Sequence, residues 1–387
     1  MIGINSNINS LVAQNNLNNT QSALSSAISR LSSGKRINSA ADDAAGLAIS
    51  TRMQTQINGL NQGVSNANDG VSMVQTASSA LSSLTSSLQR IRTLAVQAST
   101  GTMSSSDQAA LQQEVSQQIQ EVNRIASQTT YNGTNILDGS AGIVNFQVGA
   151  NVGQTINLDL SGSMSANSLG GGVVAKGQTV GTVSGLQLSS TGAYTSTASS
   201  ASITAVNVVS DGSGGFTFTD QNGTALTSTV ANTIFSAGTT GGSATAPITT
   251  LALSSGATSS GMSAASLTAI SNAVAQINKV NKPANVSNLD ISTVSGANVA
   301  MVSIDNALTT VNNLQAQLGA AQNRFTAIAS SQQAVSTDLS SAQSQITDAN
   351  FAQETANLSK AQVLQQAGIS VLAQANSAPQ QVLKLLG

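Results

Sequence analysis

Residues Met53–Ala98 read MQTQINGLNQGVSNANDGVSMVQTASSALSSLTSSLQRIRTLAVQA, and the spacing of their apolar positions decides the fold. In order these are Met53, Ile57, Leu60, Val64, Ala67, Val71, Val74, Ala77, Leu81, Leu84, Leu88, Ile91, Ala95 and Ala98. The steps alternate between four and three with a single repeat. That is a heptad seam, a narrow apolar stripe on one face of a long helix. A helix from Ala44 to Ser99 would measure about 84 Å. No compact domain encloses such a length, so the stretch predicts a rod and the rod requires partner helices. Gly46, Gly59, Gly63 and Gly70 each weaken a helix by about 1 kcal/mol relative to Ala, and Asn68-Asp69-Gly70 alone would read as a turn. The seam passes through these positions in register. The helix is therefore expected to be continuous, with glycines where neighbouring helices approach closely.

Working outward, the partners can be found on both sides. Upstream, Ile4, Ile8 and Leu11 share one seam and Leu17, Leu24, Ile28 and Leu31 another, with a one-residue slip between them. This first helix ends at Gly34, a C-cap residue. Asn38–Asp43 is a linker whose acids, Asp42 and Asp43, suit the N-terminus of the next helix. Downstream, Thr100–Ser104 breaks the chain, and Ser104 to Asp107 offer N-caps to a helix over about 105–129 with the stripe Leu111, Val115, Ile119, Val122 and Ile125. The short connection predicts an antiparallel neighbour. Val144, Phe146 and Val148 alternate, as do Ile156, Leu158 and Leu160, and together predict a β-hairpin. Far along the chain Ile304, Leu308, Val311, Leu318, Phe325, Ile328, Val335, Leu339, Ala342, Ile346 and Ala349 keep one register. A last block repeats it at Leu358, Ala361, Leu364, Val371 and Ala375, with Pro379 expected to end the helix ahead of an apolar tail.

Between these helical ends the character changes. From Ala166 to Gly261 only Lys176, Asp211 and Asp220 carry charge. Short alternating runs such as Ile203–Val206 and Phe216–Phe218 read as strands, with turns at Asp211-Gly212 and Asn222-Gly223. A helix carrying Leu267, Ile270, Val274 and Ile277 closes the region before Lys282-Pro283. The expected fold class is mostly α: a long antiparallel helical bundle or coiled-coil rod formed by both termini, with a β-hairpin and an inserted β-rich outer domain.

Composition narrows the function. Of 387 residues 40% are apolar, but only 7% are charged, against roughly 25% in ordinary soluble proteins. A surface of amides and hydroxyls suits repeated self-contact, because little charge is desolvated on association. The chain has no Cys, His or Trp. Disulfides, zinc–thiolate sites and thiol nucleophiles are thereby excluded, and the commonest general base is missing. No catalytic, cofactor or metal site is expected. The net charge of −2 and the lack of a basic cluster argue against nucleic acid. No run of about 18 apolar residues predicts membrane insertion. The N-terminus lacks a basic and apolar leader, so export without a cleaved signal is expected. Each terminal helix carries a stripe that one chain cannot fully bury, which predicts association through both termini.

Several segments closely resemble bacterial flagellin: Ile4–Asn7, Leu31–Leu47 (LSSGKRINSAADDAAGL), Leu88–Gln97 (LQRIRTLAVQ), Leu318–Phe325 (LGAAQNRF) and Ser359–Gly368 with its Leu-rich tail. The likeness covers about residues 1–160 and 296–387. The resemblance implies a filament subunit with inner terminal helices at 1–43 and 352–387. It implies a helical rod domain at 44–165 and 286–351, and an outer variable domain at 166–285. It implies export unfolded through the flagellar type III apparatus to the extracellular flagellum. The implied partners are further copies of the chain, a flagellin export chaperone, a filament cap protein and hook–filament junction proteins. It further implies recognition by the host Toll-like receptor for flagellin at the positions of Leu88, Gln89, Arg90, Ile91, Leu94 and Glu114. A cytosolic inflammasome sensor would read the tail at Val382, Leu383, Leu385 and Leu386. Against these roles, Leu88 and Ile91 are seam residues, and Arg90 and Glu114 suit a salt bridge. The runner-up reading is a hook–filament junction protein of the same family; an enzyme or adhesin in the insert is disfavoured by its scarcity of charge.

Overall fold

The computed structural model describes residues 7–174, 176–193, 195, 202–237, 250–254 and 263–386, excluding the side chains of 237 and 378–386. The chain divides into two compact units. The first takes Met1–Asn68, Gln147–Thr155 and Thr326–Gly387; the second takes Asp69–Phe146 and Ile156–Phe325.

In the first unit α1 (Ile8–Ser33) ends at Gly34, whose φ of 69° is the left-handed C-cap expected from the sequence. Helix α2 (Ala44–Ala98) starts behind Asp43, whose Oδ1 accepts from the Gly46 amide at 2.9 Å. Asp42 instead braces the linker, accepting from the Ser39 amide at 2.9 Å and the Ser39 hydroxyl at 3.0 Å. Helix α6 (Val294–Thr347) and helix α7 (Phe351–Leu386) bring the chain back. The two inter-helix linkers are laced together. The Ala349 amide donates to the Gly34 carbonyl at 2.9 Å and the Arg36 amide to the Thr347 carbonyl at 2.6 Å. α1 and α7 run antiparallel, as three contacts in descending order show: Ser10 to Asn376, Gln21 to Gln365 and Arg30 to Glu354.

Pro379 does not end the last helix, contrary to the sequence reading; α7 continues to Leu386. Proline deprives only the carbonyl four residues back of its helical donor, and here the Ala375 carbonyl accepts from Asn7 Nδ2 at 2.8 Å instead. The glycines of α2 also serve a neighbour other than a helix. The tip of the hairpin formed by β3 (Gly142–Gln147) and β4 (Thr155–Leu160) lies against them. A Cβ on Gly59 would stand 2.9 Å from that of Ala150, and one on Gly63 would collide with the Val148 carbonyl. Asn66 Nδ2 secures the tip through the Gln147 carbonyl at 2.8 Å.

In the second unit the seam closes on itself. Leu81, Leu84, Leu88 and Ile91 of α2, Val115 and Val122 of α3 (Ser105–Gln128), and Ile304, Val311 and Phe325 of α6 are fully buried. The capping box of Ser104 and Asp107 starts α3. Gln108 Nε2 donates to the Ala98 carbonyl at 3.1 Å and so closes the end of α2. Phe325 meets Phe146 edge to face, with centroids 5.1 Å apart; its ring also fills the space a side chain at Gly70 would need. A two-stranded ribbon, β1 (Thr130–Tyr131) and β2 (Thr134–Asn135), follows α3.

The β-rich insert belongs to this second unit. β5 (Thr179–Leu188), β6 (Ile203–Ser210) and β7 (Phe216–Asp220) form an antiparallel sheet, with a turn at Asp211–Gly215. Helix α4 (Ser228–Ile234) leads into β8 (Phe235–Ala237), which pairs with β9 (Leu251–Leu253). Helix α5 (Ala264–Asn281) lays Ile270, Val274 and Ile277 into a core with Val183, Val206, Val208 and Leu251. The strands and the closing helix stand where alternation and helical spacing placed them.

Candidate assembly and binding surfaces

Two surfaces stand out, one in each unit. On the first, α1 buries only Ala13 and Ala27. Ile8, Leu11, Val12 and Ile28 stay about half to two-thirds exposed, and α7 adds Phe351, Val363, Leu364, Ile369 and Val371 in the same condition. Ordinary surfaces scatter such residues singly. Here they recur along two paired helices whose only charges are Arg30, Glu354, Lys360 and Lys384. Covering this face therefore removes apolar area from water and desolvates almost no charge. The tail residues Val382, Leu383, Leu385 and Leu386 lie on the helical backbone of α7, but their side chains fall outside the described residues.

Near the linker end of the same pair, a groove of about 450 Å³ lies between α1 and α7. Its polar rim includes Arg30, Glu354 and Lys360. Arg30 stands 3.8 Å from Asp42 and 4.0 Å from Glu354, and its Nε is buried with no acceptor among the described residues. Hydrogen bonds from Ser39 and Asn38 hold the Asp42 carboxyl below its ordinary range, with Arg30 adding to the effect. Sequence spacing missed this cluster, because Arg30 and Glu354 lie 324 positions apart and neither sits on a seam. Lone charges in helices otherwise nearly devoid of them were the available signal.

On the second unit, the segment around Leu88 separates into two kinds of residue. Leu88, Ile91 and Leu94 are buried in the helical core. Gln89 and Arg90 are exposed, and Glu114 is half-buried. Arg90 Nε donates to Glu114 Oε1 at 2.7 Å, tying α2 to α3. Two residues on, Arg92 Nε donates to Asp305 Oδ1 at 2.7 Å, tying α2 to α6, and the bonded carboxylate raises the guanidinium above its usual range. Asp305 was not anticipated; it flanks Ile304 on the seam, and only the packing of α6 on α2 brings it to Arg92. Among the described residues no three acidic side chains gather as a metal ligand set, and no described helix is long and apolar enough to cross a membrane.

This arrangement of helical ends and β-rich middle matches three family models. They are the bacterial flagellin N-terminal helical region at residues 4–142, the flagellin D2 domain at 172–281 and the bacterial flagellin C-terminal helical region at 301–386. Flagellin B of Vibrio cholerae is 36% identical over 394 residues, covering 100% of both chains. The B-type flagellin of Pseudomonas aeruginosa is 35% identical over 486 residues, covering 99% of each. Among solved structures, FliC from Burkholderia pseudomallei is 64% identical, covering 66% of this chain and 99% of its own, with a TM-score of 0.60. The relationship runs the full length of the chain and includes the middle region, and on that ground the chain belongs to the bacterial flagellin family, a structural subunit of the extracellular flagellar filament and not an enzyme.

Proposed function

We propose that the chain polymerises through the apolar faces of α1 and α7. Residues 1–43 and 352–387 form the inner layer, 44–165 and 286–351 the surrounding helical layer, and 166–285 the outer surface. The observation that carries this reading is the run of half-exposed aliphatic and aromatic side chains on two helices that carry few charges. Each such side chain would contribute roughly 1–2 kcal/mol on full burial. The chain passes unfolded through the type III apparatus. Its C-terminal segment is held by an export chaperone, and it adds beneath a cap protein on a base of junction proteins. The test is seeded assembly of purified protein, followed by light scattering and electron microscopy. Leu11→Ser with Val363→Ser should raise the critical concentration about tenfold or more and leave the monomer folded. Unchanged assembly of a chain lacking 1–43 and 352–387 would defeat the proposal, and failure of the intact chain to propagate would favour a junction protein.

For host recognition, we propose that the Toll-like receptor for flagellin is met by Gln89, Arg90 and Glu114, held in place by the buried Leu88, Ile91 and Leu94. The supporting observation is that division between exposed and buried residues. Receptor binding by Arg90→Ala should be weaker than wild type at equal monomer stability, and undiminished binding would remove Arg90 from the surface. The reading of Val382, Leu383, Leu385 and Leu386 by a cytosolic inflammasome sensor is carried by the sequence resemblance, and loss of sensing on truncation at 381 is its check.

A further inference from the structure

Within the second unit the tripeptide Asn-Gly-Thr occurs at Asn132–Thr134 and again at Asn222–Thr224, and both copies lie exposed in tight turns. The glycines are alike, Gly133 with a φ of 79° and Gly223 with a φ of 81°, each with open space where a side chain would stand. Local sequence, exposure and steric room are thus matched, and hydrogen bonding separates the two. The Asn222 turn is tied to Asp220. The Gly223 amide donates to the Asp220 carbonyl at 3.1 Å, and the Asp220 amide to the Thr224 carbonyl at 2.9 Å. Asp220 Oδ1 accepts from the Asn222 amide at 2.9 Å and from the Thr224 amide at 2.8 Å. At the other copy, the ribbon of β1 and β2 pairs only Tyr131 with Thr134 and Thr130 with Asn135. Neither the Asn132 side chain nor the Gly133 amide has a hydrogen-bond partner among the described residues. Asn132 also has a positive φ of 49°, as the first central residue of a type I′ turn. A ribbon this short is marginal and opens readily.

We propose that Asn132 is a site of spontaneous deamidation, whose product accumulates with the age of the molecule. The Gly133 amide nitrogen gives its proton to hydroxide and attacks Asn132 Cγ. The new N–Cγ bond closes a succinimide ring, the Cγ–Nδ2 bond breaks, and ammonia leaves with a proton from water. Water then opens the ring. Cleavage of the N–Cγ bond leaves aspartate. Cleavage between that nitrogen and the Asn132 backbone carbonyl leaves isoaspartate, with the main chain rerouted through Cγ. One water enters and one ammonia departs, and no oxidant or cofactor is required. The attack is intramolecular, so the nucleophile is always at hand. At Asn222 the equivalent nitrogen is engaged with the Asp220 carbonyl and must first be released. Either product places a carboxylate in Thr130–Asn135, a stretch without charge, and isoaspartate also adds a backbone carbon to the turn. The ribbon that follows α3 is thereby altered with time.

The test is peptide mass spectrometry of the full-length monomer, aged in mildly alkaline heavy-oxygen water and digested in acid, with isoaspartate separated by chromatography. Incorporated heavy oxygen marks each ring opening. Asn132 should convert about fivefold faster than Asn222, the factor expected for one hydrogen bond. In denaturant the two rates should converge, because both asparagines precede Gly-Thr. Asp220→Ala removes the carboxyl that ties the second turn; it should raise the Asn222 rate toward that of Asn132 and leave Asn132 unchanged. An Asn222 rate equal to or above that of Asn132 in the folded wild type would overturn the proposal. So would a gap undiminished in denaturant, an Asn222 rate unmoved by Asp220→Ala, or no conversion at Asn132 while the denatured chain converts.

Discussion

The two halves of the α6 seam carry the same spacing and the same kinds of residue, yet end in different surroundings. In the second unit Ile304, Val311, Leu318 and Phe325 are all but sealed from water. In the first unit Ile328, Leu339 and Ile346 are only partly covered and Val335 is 43% exposed. The joins to α2 differ in kind as well. In the second unit the helices meet through leucine, isoleucine and phenylalanine, with the Arg92–Asp305 ion pair beside them. In the first they also meet through polar side chains: Ser336 Oγ donates to Asn61 Oδ1 at 2.9 Å, and Gln343 Nε2 donates to the Ser50 carbonyl at 3.0 Å. A heptad seam thus states which face of a helix seeks cover but not whether the same chain provides it. The closed unit buries its stretch of seam within its own core. The open unit retains apolar face for other copies, and its hydrogen bonds set register at little cost in exposed apolar area.

The largest effect expected from that contrast is at Phe325. Phe325→Ala removes a ring packed on Phe146 and Gly70 and should cost about 3–5 kcal/mol. Val335→Ala, on the same seam but exposed, should stay within about 0.5 kcal/mol. Denaturant unfolding of the monomer measures both, and equal costs would erase the distinction between the units.

A smaller effect is expected within the open unit. Gly63→Ala drives a methyl group into the Val148 carbonyl of the hairpin tip and should cost about 1–3 kcal/mol. Gly101→Ala, with nothing within 4 Å, is the matched control, expected within about 0.5 kcal/mol. The readout is unfolding together with exchange of residues 147–155. A silent Gly63→Ala would mean that the hairpin tip moves freely and does not brace α2.

The smallest effect is at Asp42. Its carboxyl is lowered from 3.8 in the folded linker. The contribution is therefore fully present above the unfolded value and is lost as pH falls through the folded one. Amide exchange at Asn38 and Ser39, corrected for intrinsic rates and followed from about pH 5 to pH 2, should show the linker loosening in acid. Asp42→Asn should flatten that profile. Acid sensitivity of the second unit, where Asp138, Asp159 and Asp290 are lowered by Ser140, Ser161 and Ser292, should persist. A profile unchanged by Asp42→Asn would show that another group governs the linker.

Much of this was legible in the chain itself. The long seams, the Gly34 cap, the Ser104 N-cap, the hairpin and the strands at Ile203 and Phe216 all depend on spacing or local turn chemistry, and such signals lie within a few residues of one another. What spacing left open was contact between distant positions. Leu88, Gln89 and Arg90 are sequence neighbours with different fates, because helical rotation points one into the core and the others away from it. Pro379 reads as a helix end, yet α7 runs on to Leu386, and the Ala375 carbonyl accepts from Asn7, far away in sequence.

The amino-acid sequence by itself determined the class of the protein: helical ends, a β-rich middle, no chemistry for catalysis and apolar terminal stripes. These follow from periodicity and composition, which need no partner to be read. The tertiary structure alone decided which stretch of each seam is covered, that glycines on α2 receive a hairpin tip and a phenylalanine ring, that Arg90 and Arg92 are held by different helices, and that Asn7 reaches Ala375. Those outcomes depend on which surfaces meet, and burial and hydrogen bonding are settled only when both partners of a contact are in place.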